Sequence, residues 1–189
     1  MAEPRLTFKD VEEFLAWEEL QDERHEYVHG VVRMMTGGTA HHALIQANLV
    51  AELRDKLRGS PCRAFGSDLR VRVSRAETRF PDAMVVCALP SGNDTITSSP
   101  VLLVEVLSPS SAAVDLGDKV WSYPTIPSLE HYLVLWQTAP RAELWSRSGA
   151  TTPEGWTRRQ FIGLETVVPL PALAIDLKLA DLYEGLTLE

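Results

Sequence analysis

The positions of apolar residues along the chain predict two helices in its first third. Thr7, followed three residues later by Asp10, is typical of a helix N-terminus, and the apolar spacing after it predicts a first helix that ends near Leu20. In residues 41–57 six apolar residues recur at spacings of three and four, which predicts a second amphipathic helix. The segment Gly59-Ser60-Pro61 should end it.

Between the two helices and after the second one, the pattern is typical of strands. Residues 27–35 predict a strand interrupted by a turn at Gly30. In residues 69–74 apolar residues alternate with Arg70, Arg72 and Ser74, which predicts one buried face and one exposed basic face. Continuous apolar runs over 83–88 and 101–107 indicate central strands covered on both faces. The remaining predicted elements are a short helix over 115–123, strands over 131–136, 142–145 and 156–162, and a short final helix over 177–183.

Together these elements predict one α/β (α+β) domain over residues 1–189, with a mixed central β-sheet flanked by helices. A length of 189 residues suits a single domain, which can bury roughly 70% of the surface that the unfolded chain exposes. The apolar fraction of 45% and charged fraction of 23% exclude intrinsically disordered and collagen-like chains.

The net charge of −8 is unlike that of a typical nucleic-acid-binding protein, but its distribution weakens that argument. Residues 1–26 hold nine acidic and three basic residues, whereas residues 63–79 hold five arginines against two acids. A segregated surface is therefore possible, and the net charge does not exclude a nucleic-acid partner.

The sequence also bears on where the protein works. No N-terminal apolar segment resembles a signal peptide, and no apolar run approaches the ~18 residues that span a bilayer. We therefore expect a cytoplasmic protein without a membrane partner. The two cysteines, Cys62 and Cys87, have no metal-binding spacing and form no disulfide framework, so Cys87 is expected to be a small buried apolar residue.

Two acids stand in or beside the apolar runs, where packing alone would not place them. Asp82 follows Pro81 at the start of one run, and Glu105 interrupts the other. A buried carboxylate costs several kcal/mol unless a cation or hydrogen-bond donors compensate it. Either Glu105 pairs with an internal arginine, or neighbouring strands direct both carboxylates at one divalent metal ion. Oxygen ligands favour Mg²⁺ or Mn²⁺ over zinc.

A lysine lies a short distance beyond the second acid. Asp115, Lys119 and Tyr123 are spaced by four residues and so share one face of the predicted helix. They could be a helix cap followed by a solvent-facing lysine. With two metal-binding carboxylates nearby, the lysine could instead orient a water molecule or balance charge on an attacked phosphate. Two carboxylates, a metal ion and a lysine suit phosphodiester hydrolysis.

Several short motifs follow one another in an order that is more specific than any one of them. They are Glu26-Tyr27-Val28-His29-Gly30, His42-x-x-Ile45-x-x-Asn48-Leu49, Pro81-Asp82, Glu105-Val106-Leu107-Ser108-Pro109-Ser110, Asp115-x-x-x-Lys119-x-x-x-Tyr123 and Ile126-Pro127-Ser128-Leu129-x-x-Tyr132. The ordered set resembles the Uma-type restriction endonucleases of bacteria, within the PD-(D/E)XK nuclease superfamily. The resemblance runs from about Thr7 to Glu184.

The resemblance implies a restriction endonuclease-like core that binds Mg²⁺. Asp82 would be the aspartate of the PD motif and Glu105 the acid of (D/E)XK, with the Val106 carbonyl as a further metal ligand. The motif lysine would stand two residues after the acid, where this chain has Leu107. Lys119 would replace it, orienting water or stabilising the transition state.

Other roles also follow from the resemblance. Glu26 matches an acid that many superfamily members add from an early element, and His42 matches a helix histidine suited to an anion contact. DNA would be the substrate, with Arg70 and Arg72 contacting its phosphates. Cutting two strands suggests a homodimer. The alternative is a catalytically silent binding or regulatory module that keeps the nuclease fold.

Overall fold

The structure, a computed structural model, describes residues 6–35, 37–108, 114–148 and 155–187, and its largest element is a six-stranded sheet. In spatial order its strands are β11 (Trp156–Ile162), β10 (Arg141–Arg147), β9 (His131–Trp136), β8 (Pro100–Leu107), β6 (Ala83–Val86) and β3 (Arg63–Gly66). The central strands β8 and β9 run parallel, and the other neighbours are antiparallel. The prediction of an α/β (α+β) fold with a mixed central sheet is confirmed.

A second sheet has five strands, which the sequence analysis did not anticipate as a separate sheet. In spatial order they are β2 (Val31–Met34), β1 (His25–Val28), β5 (Glu77–Arg79), β4 (Arg70–Ser74) and β7 (Ile96–Thr97). The turn predicted at Gly30 joins β1 to β2 through His29 and Gly30, with φ values of 47° and 85°. Two positive φ values suit the two-residue turn of a hairpin. A small third sheet pairs β12 (Val167–Leu170) with β13 (Ile175–Lys178).

The two longer helices each begin after a residue whose side chain accepts a backbone N–H of the first turn. Helix α1 (Val11–Glu18) is capped by the Asp10 carboxylate, so the cap predicted at Thr7 is wrong. Helix α2 (Ala40–Lys56) follows Thr39, whose hydroxyl accepts the His42 N–H, and it lies within one residue of its predicted ends. The predicted final helix over 177–183 is correct only for α4 (Leu179–Leu182), because the preceding residues belong to β13.

The predicted helix over 115–123 is divided into three short elements. A π-helical turn covers Val114–Asp118, helix α3 covers Lys119–Ser122, and a 3₁₀ turn covers Tyr123–Thr125. The side chain of Asp115, predicted to cap this helix, lies outside the described part of the structure.

Helices cover both faces of the six-stranded sheet, as predicted. Ile45, Leu49 and Leu53 of α2 pack on one face, in a cluster that also contains Leu182 of α4. On the other face, Tyr123 packs in a second cluster with strand residues. Helix α1 forms a smaller cluster with β1 of the second sheet. Within the described ranges, none of the helices is long and apolar enough to span a bilayer.

The two cysteines form a disulfide bond, so the expectation that Cys87 is only a buried apolar residue is wrong. Cys62 directly precedes β3 and Cys87 directly follows β6, and these strands pair with Arg63 opposite Val86. The strand register therefore brings the cysteines together, although 25 positions separate them in sequence.

Candidate active site

Strand pairing brings the two predicted metal-binding acids to neighbouring positions. Ala83 of β6 pairs with Val104 of the antiparallel strand β8. Asp82 precedes Ala83 and Glu105 follows Val104, so in this antiparallel register the two acids are the next opposed positions, at the same end of the pair. Opposite residues of antiparallel strands have Cβ atoms roughly 5 Å apart. The sheet thus places both acids at one end of the β6–β8 ladder.

Glu105 is nearly fully buried, with 3% of its surface exposed, and two side chains from the following segment contact its carboxylate. Lys119 Nζ lies 2.7 Å from Glu105 Oε1, and the Tyr123 hydroxyl donates a hydrogen bond of 2.8 Å to the same oxygen. Burial, and then the charge of Glu105, raises the pKa of Tyr123 well above its usual value. Tyr123 therefore keeps its proton and acts as a donor.

These contacts bear on the structural roles that the sequence left open for Glu105 and Lys119. Glu105 forms an ion pair with a lysine, Lys119, where the structural interpretation expected an arginine. Lys119 is also not solvent-facing, because its side chain is only 7% exposed. The structure thus places the Lys119 ammonium beside the Glu105 carboxylate. That Lys119 replaces the lysine missing at Leu107 in catalysis stays a prediction.

Asp82 is held by contacts to the neighbouring strand and to α2. Its Oδ2 accepts a hydrogen bond of 2.7 Å from the Val106 N–H and lies 3.2 Å from His42 Nε2. Gln46 Nε2 donates to the Asp82 carbonyl at 2.7 Å. These contacts fix the carboxylate and the backbone of Asp82 together. The role expected for His42 was an anion contact, and in the structure the anion beside it is the Asp82 carboxylate.

The glycine loop before α2 makes room for the imidazole of His42. A Cβ atom on Gly38 would lie 2.8 Å from His42 Nδ1, closer than real Cβ contacts allow. The same region opens a cavity of about 400 Å³, lined in part by Gly38, His42, Gln46 and Asp82. Solvent-sized molecules can therefore reach Asp82 from the side of α2.

Glu26 lies at the segment that leads into Asp82. Its Oε1 accepts the Phe80 N–H at 3.0 Å, and its Oε2 is 3.9 Å from Arg79 Nη1. Burial opposes the charge of Arg79, but the neighbouring carboxylates of Glu77 and Glu26 outweigh it, and the pKa of the guanidinium is raised. Glu26 thus holds the segment that leads from β5 to Asp82. Whether it also binds metal stays a prediction.

The sequence analysis missed Arg79 and Gln46. Arg79 is buried in β5, and its Nε donates a hydrogen bond of 2.5 Å to Glu77 Oε1. A signal was present, since Glu77 and Arg79 alternate just before Pro81-Asp82 and so point to the same face of a strand. Gln46 gave no signal beyond its position one turn after His42.

The exposed basic face predicted for β4 is wrong for Arg70. Its guanidinium pairs with Glu18 at 2.5 Å, and the residue is only 5% exposed. It also lies over the ring of Phe80, with its central carbon 4.5 Å from the ring centroid. Arg72 is partly exposed and pairs with Glu12 at 2.7 Å. The acidic helix α1 covers this strand, so both arginines already have carboxylate partners.

The donors at Asp82 and Glu105 fit an oxygen-binding divalent cation in chemistry but do not complete its coordination. Carboxylate oxygens are the ligands that Mg²⁺ and Mn²⁺ prefer. Among the described residues, no cluster of three or more His, Cys, Asp or Glu side chains is arranged to hold a metal ion. A cation here would need further oxygens, from the Val106 carbonyl, from water or from substrate. Mg²⁺ commonly keeps several waters when it binds proteins.

Comparisons with known proteins add to this geometry. A family model described as "Uma2: Putative restriction endonuclease" matches residues 11–181. The chain is 35% identical over 139 residues to "Uncharacterized protein slr1290" of Synechocystis sp., and the aligned region covers 72% of this chain and 73% of that protein. It is 33% identical over 141 residues to "Uncharacterized protein sll1609" of the same organism, with 72% and 80% covered.

One solved structure is similar over almost the whole chain. It is described as a "putative nuclease belonging to DUF820" from Anabaena variabilis, and the similarity has a TM-score of 0.74. The alignment covers 92% of this chain and 97% of the other at 18% sequence identity. At that identity the likeness concerns the fold and leaves the roles of individual residues open.

Proposed function

The chain belongs to the Uma2 family, and from this premise we propose that it is a Mg²⁺- or Mn²⁺-dependent endonuclease that hydrolyses DNA phosphodiester bonds. One observation carries the proposal. A buried glutamate in a central strand lies next in register to an aspartate and has a lysine ammonium 2.7 Å from its carboxylate. Burying Glu105 and Lys119 together, beside a third charged group, is costly for a fold that needs only stability.

In this proposal Asp82 and Glu105 hold the metal ion, with the Val106 carbonyl as a third protein oxygen. A divalent metal supplies Lewis-acid activation and favours formation of a nucleophile at neutral pH. The Val106 N–H and His42 hold the Asp82 carboxylate in place, so less order has to be gained when a cation binds. Glu26 supports the chain just before Asp82 through the Phe80 N–H.

Lys119 would provide positive charge at the attacked phosphate. Its ammonium is already held against Glu105 in a site from which most solvent is excluded. A fixed charge in such surroundings stabilises developing negative charge more strongly than one in water. The Tyr123 hydroxyl keeps the Glu105 carboxylate oriented, because it donates to the same oxygen that contacts the lysine.

The partners in this proposal follow the family. The substrate is DNA, cleavage of both strands uses two copies of the chain, and the protein acts in the bacterial cytoplasm. Since Arg70 and Arg72 are paired with α1, phosphate contacts from them would require exchange of Glu18 or Glu12 for DNA.

A metal-dependent cleavage assay tests the proposal. Supercoiled plasmid is incubated with the protein and Mg²⁺ or Mn²⁺, and Asp82→Asn and Glu105→Gln are compared with the wild type. The matched control is Asp176→Asn, which makes the same change at an exposed acid of β13. Cleavage should require the metal, disappear in both site variants and persist in the control. Cleavage that survives in either folded site variant would contradict the assignment.

A catalytically silent nuclease-fold module remains the second candidate. The observation that favours it is that Lys119 and Tyr123 contact the Glu105 carboxylate directly and so compensate its buried charge. A silent module predicts that folded wild-type protein binds Mn²⁺ weakly or not at all and cuts no DNA. Calorimetry with Mn²⁺, run beside the cleavage assay, separates the two candidates.

A further inference from the structure

The face of the six-stranded sheet that carries Glu105 extends to strands that the proposed mechanism does not use. Strand register places Glu105 of β8, Val134 of β9, Glu143 of β10 and Gln160 of β11 side by side in one row. Residues paired in this way point to the same side of a sheet, so Glu143 and Gln160 share the face of Glu105. Neighbouring strands lie about 4.8 Å apart, which puts β10 and β11 roughly 10 and 14 Å from Glu105 along the row.

Two arginine–tryptophan pairs lie on this face, one on each side of the row. The guanidinium of Arg141 lies over the ring of Trp136, with its central carbon 4.3 Å from the ring centroid. The guanidinium of Arg158 lies 5.4 Å from the ring centroid of Trp145. Each of the four residues is two positions from the row within its own strand, so all four point to the face of Glu105. Stacking on an aromatic ring holds a guanidinium in place and leaves the N–H groups at its edge able to bind a partner.

A buried glutamate fixes Arg158 from within the sheet. Glu143 is 1% exposed, and its two carboxylate oxygens accept hydrogen bonds of 2.6 Å from Nε and Nη2 of Arg158. The Trp145 indole N–H and the Gln160 amide donate to the same carboxylate at 3.0 and 3.3 Å. The Arg158 side chain itself is 50% exposed, and its Nη1 group is at the edge of the guanidinium opposite the carboxylate. Burying a carboxylate gains little stability over apolar packing, but here it orients a surface arginine.

Arg158 differs from Arg70 and Arg72 in the position of its carboxylate partner. The partners of those two arginines belong to α1, which covers β4. The partner of Arg158 belongs to the neighbouring strand of the same sheet, and β11 is an edge strand with nothing paired beyond it among the described residues. A ligand can therefore reach the exposed edge of Arg158 without displacing another element of the chain.

The hairpin of β10 and β11 is basic in a chain whose net charge is −8. Residues 141–162 hold four arginines and two glutamates, and one of these glutamates is the buried Glu143. Arginine binds phosphate through its planar set of N–H groups, so charge and chemistry both favour a phosphate-rich ligand. B-DNA advances about 3.4 Å per base pair, so the roughly 10–14 Å from Glu105 correspond to about three or four base pairs. One duplex can therefore span Glu105 and this hairpin.

We propose that the surface formed by Trp136, Arg141, Trp145 and Arg158 binds the phosphate backbone of DNA on one side of the cleavage site, a proposal that rests on the function proposed above. Arg141 and Arg158 each contact a phosphate, and the two tryptophan rings hold their guanidinium groups in place. The surface makes the contacts that the sequence analysis assigned to β4. Because phosphate contacts carry no base information, it binds DNA irrespective of sequence.

Equilibrium binding without Mg²⁺ or Mn²⁺ tests this surface separately from cleavage. The probe is a fluorescein-labelled DNA duplex, and its dissociation constant is measured by anisotropy in EDTA over a series of KCl concentrations. Arg141→Gln should weaken binding about 10-fold, the size of one hydrogen bond to a charged group. It should also make the slope of log affinity against log salt less steep by about 0.9, because one phosphate contact fewer releases less counterion.

Arg158 is tested in the double variant Glu143→Gln/Arg158→Gln. Replacing Arg158 alone leaves a buried carboxylate without its cation and can unfold the chain. The double variant removes one charge of each sign, so the net charge of the chain is unchanged and a loss of affinity cannot result from it. We expect the same change in affinity and in slope as for Arg141→Gln, at a melting temperature that shows a folded protein.

Arg159→Gln is the matched control, since it makes the same change at the next residue of β11. Arg159 points to the opposite face of the sheet, where its guanidinium lies 5.1 Å from the ring centroid of Phe161. Salt at 0.15 M screens charges beyond about 8 Å, so a positive charge on that face contributes little to DNA bound on the other. The affinity and the slope of Arg159→Gln should equal those of the wild type.

The outcomes separate this inference from the function on which it rests. If the wild type does not bind the duplex, or if Arg141→Gln and the double variant bind it as tightly as the wild type, the surface does not contact DNA, whether or not plasmid is cleaved. If Arg159→Gln weakens binding equally, the effect comes from overall charge and the proposal is wrong. If binding depends on Arg141 and Arg158 while no plasmid cleavage occurs with Mg²⁺ or Mn²⁺, the DNA-binding surface is supported and the nuclease proposal fails.

Discussion

Replacing Lys119 with methionine removes the charge at the candidate site while keeping most of the apolar side chain. In the wild type the ammonium lies 2.7 Å from Glu105 Oε1, and the two side chains are 7% and 4% exposed. In Lys119→Met, Glu105 loses this cation and keeps the Tyr123 hydroxyl. The variant therefore tests both the stability of the site and its chemistry.

The expected size of the effect follows from burial. Removing one partner of a buried ion pair costs about 3–5 kcal/mol, and the retained Tyr123 contact favours the lower end. For a chain of 150–250 residues, 1 kcal/mol shifts the melting temperature by about 2–4 °C. Without metal, Lys119→Met should therefore melt roughly 6–12 °C below the wild type. Turnover should fall on the order of 10²-fold or more, because a fixed charge at the transition state is lost.

Lys178→Met provides the matched control. Lys178 also pairs with a carboxylate, Glu165 at 3.1 Å, but the two side chains are 43% and 87% exposed. Exposed pairs contribute about 0–1 kcal/mol, so this variant should keep its melting temperature and its turnover.

The assays are thermal denaturation in EDTA and in Mn²⁺, together with plasmid cleavage. Mn²⁺ should raise the melting temperature of Lys119→Met at least as much as that of the wild type, because a cation that binds the folded state stabilises it. Binding should survive or tighten, since a neighbouring positive charge has been removed. Unchanged turnover in a folded Lys119→Met variant would refute the reasoning and leave Lys119 as a structural residue only.

Three further predictions concern groups outside the two acids. Burial lowers the pKa of His131 from 6.5 to about 4. As the pH falls, the unfolded chain therefore binds this proton at a higher pH than the folded protein does. The stability present above pH 6.5 should decline by about 3 kcal/mol as the pH falls to 4. Denaturant titrations should show this slope in the wild type, and an equal slope in His131→Gln would contradict its origin. Arg70→Ala should lower the melting temperature, because the carboxylate of Glu18 loses its buried partner. A loss of DNA affinity at unchanged stability would contradict the placement of Arg70 under α1. Cys87→Ser should destabilise the oxidised protein by about 3.5 kcal/mol, the loop-closure value for the 25-position separation between Cys62 and Cys87, and the difference should vanish in reductant. Equal stability of the two proteins under oxidising conditions would show that the bond does not form.

The sequence predicted those parts of the fold in which apolar residues are buried and polar residues are exposed. The apolar runs around Glu105 and after Asp82 became β8 and β6, since strands covered on both faces contain few polar residues. Strand β5 was missed because its three residues, Glu77–Arg79, are polar and charged although all are buried. Their burial depends on ion pairs, which an apolar pattern does not detect.

At the candidate active site, the sequence likewise predicted local spacing but not which elements pack together. Spacing alone put Lys119 and Tyr123 on one face, and the motif order indicated that this face meets Glu105. The covering of Arg70 by α1 could not be predicted, because alternation defines the two faces of a strand and not what packs against each. The contact between His42 and Asp82 likewise depends on how α2 docks on the sheet.

Anomalous diffraction from crystals soaked in Mn²⁺ tests the central claim most directly. The account predicts one anomalous peak within coordination distance of both the Asp82 and Glu105 carboxylates, with Lys119 still beside it and the peak lost in Asp82→Asn. A Mn²⁺-saturated crystal of cleavage-competent protein with no peak at these two acids, or with its only strong peak elsewhere, would contradict the claim that they form the metal site.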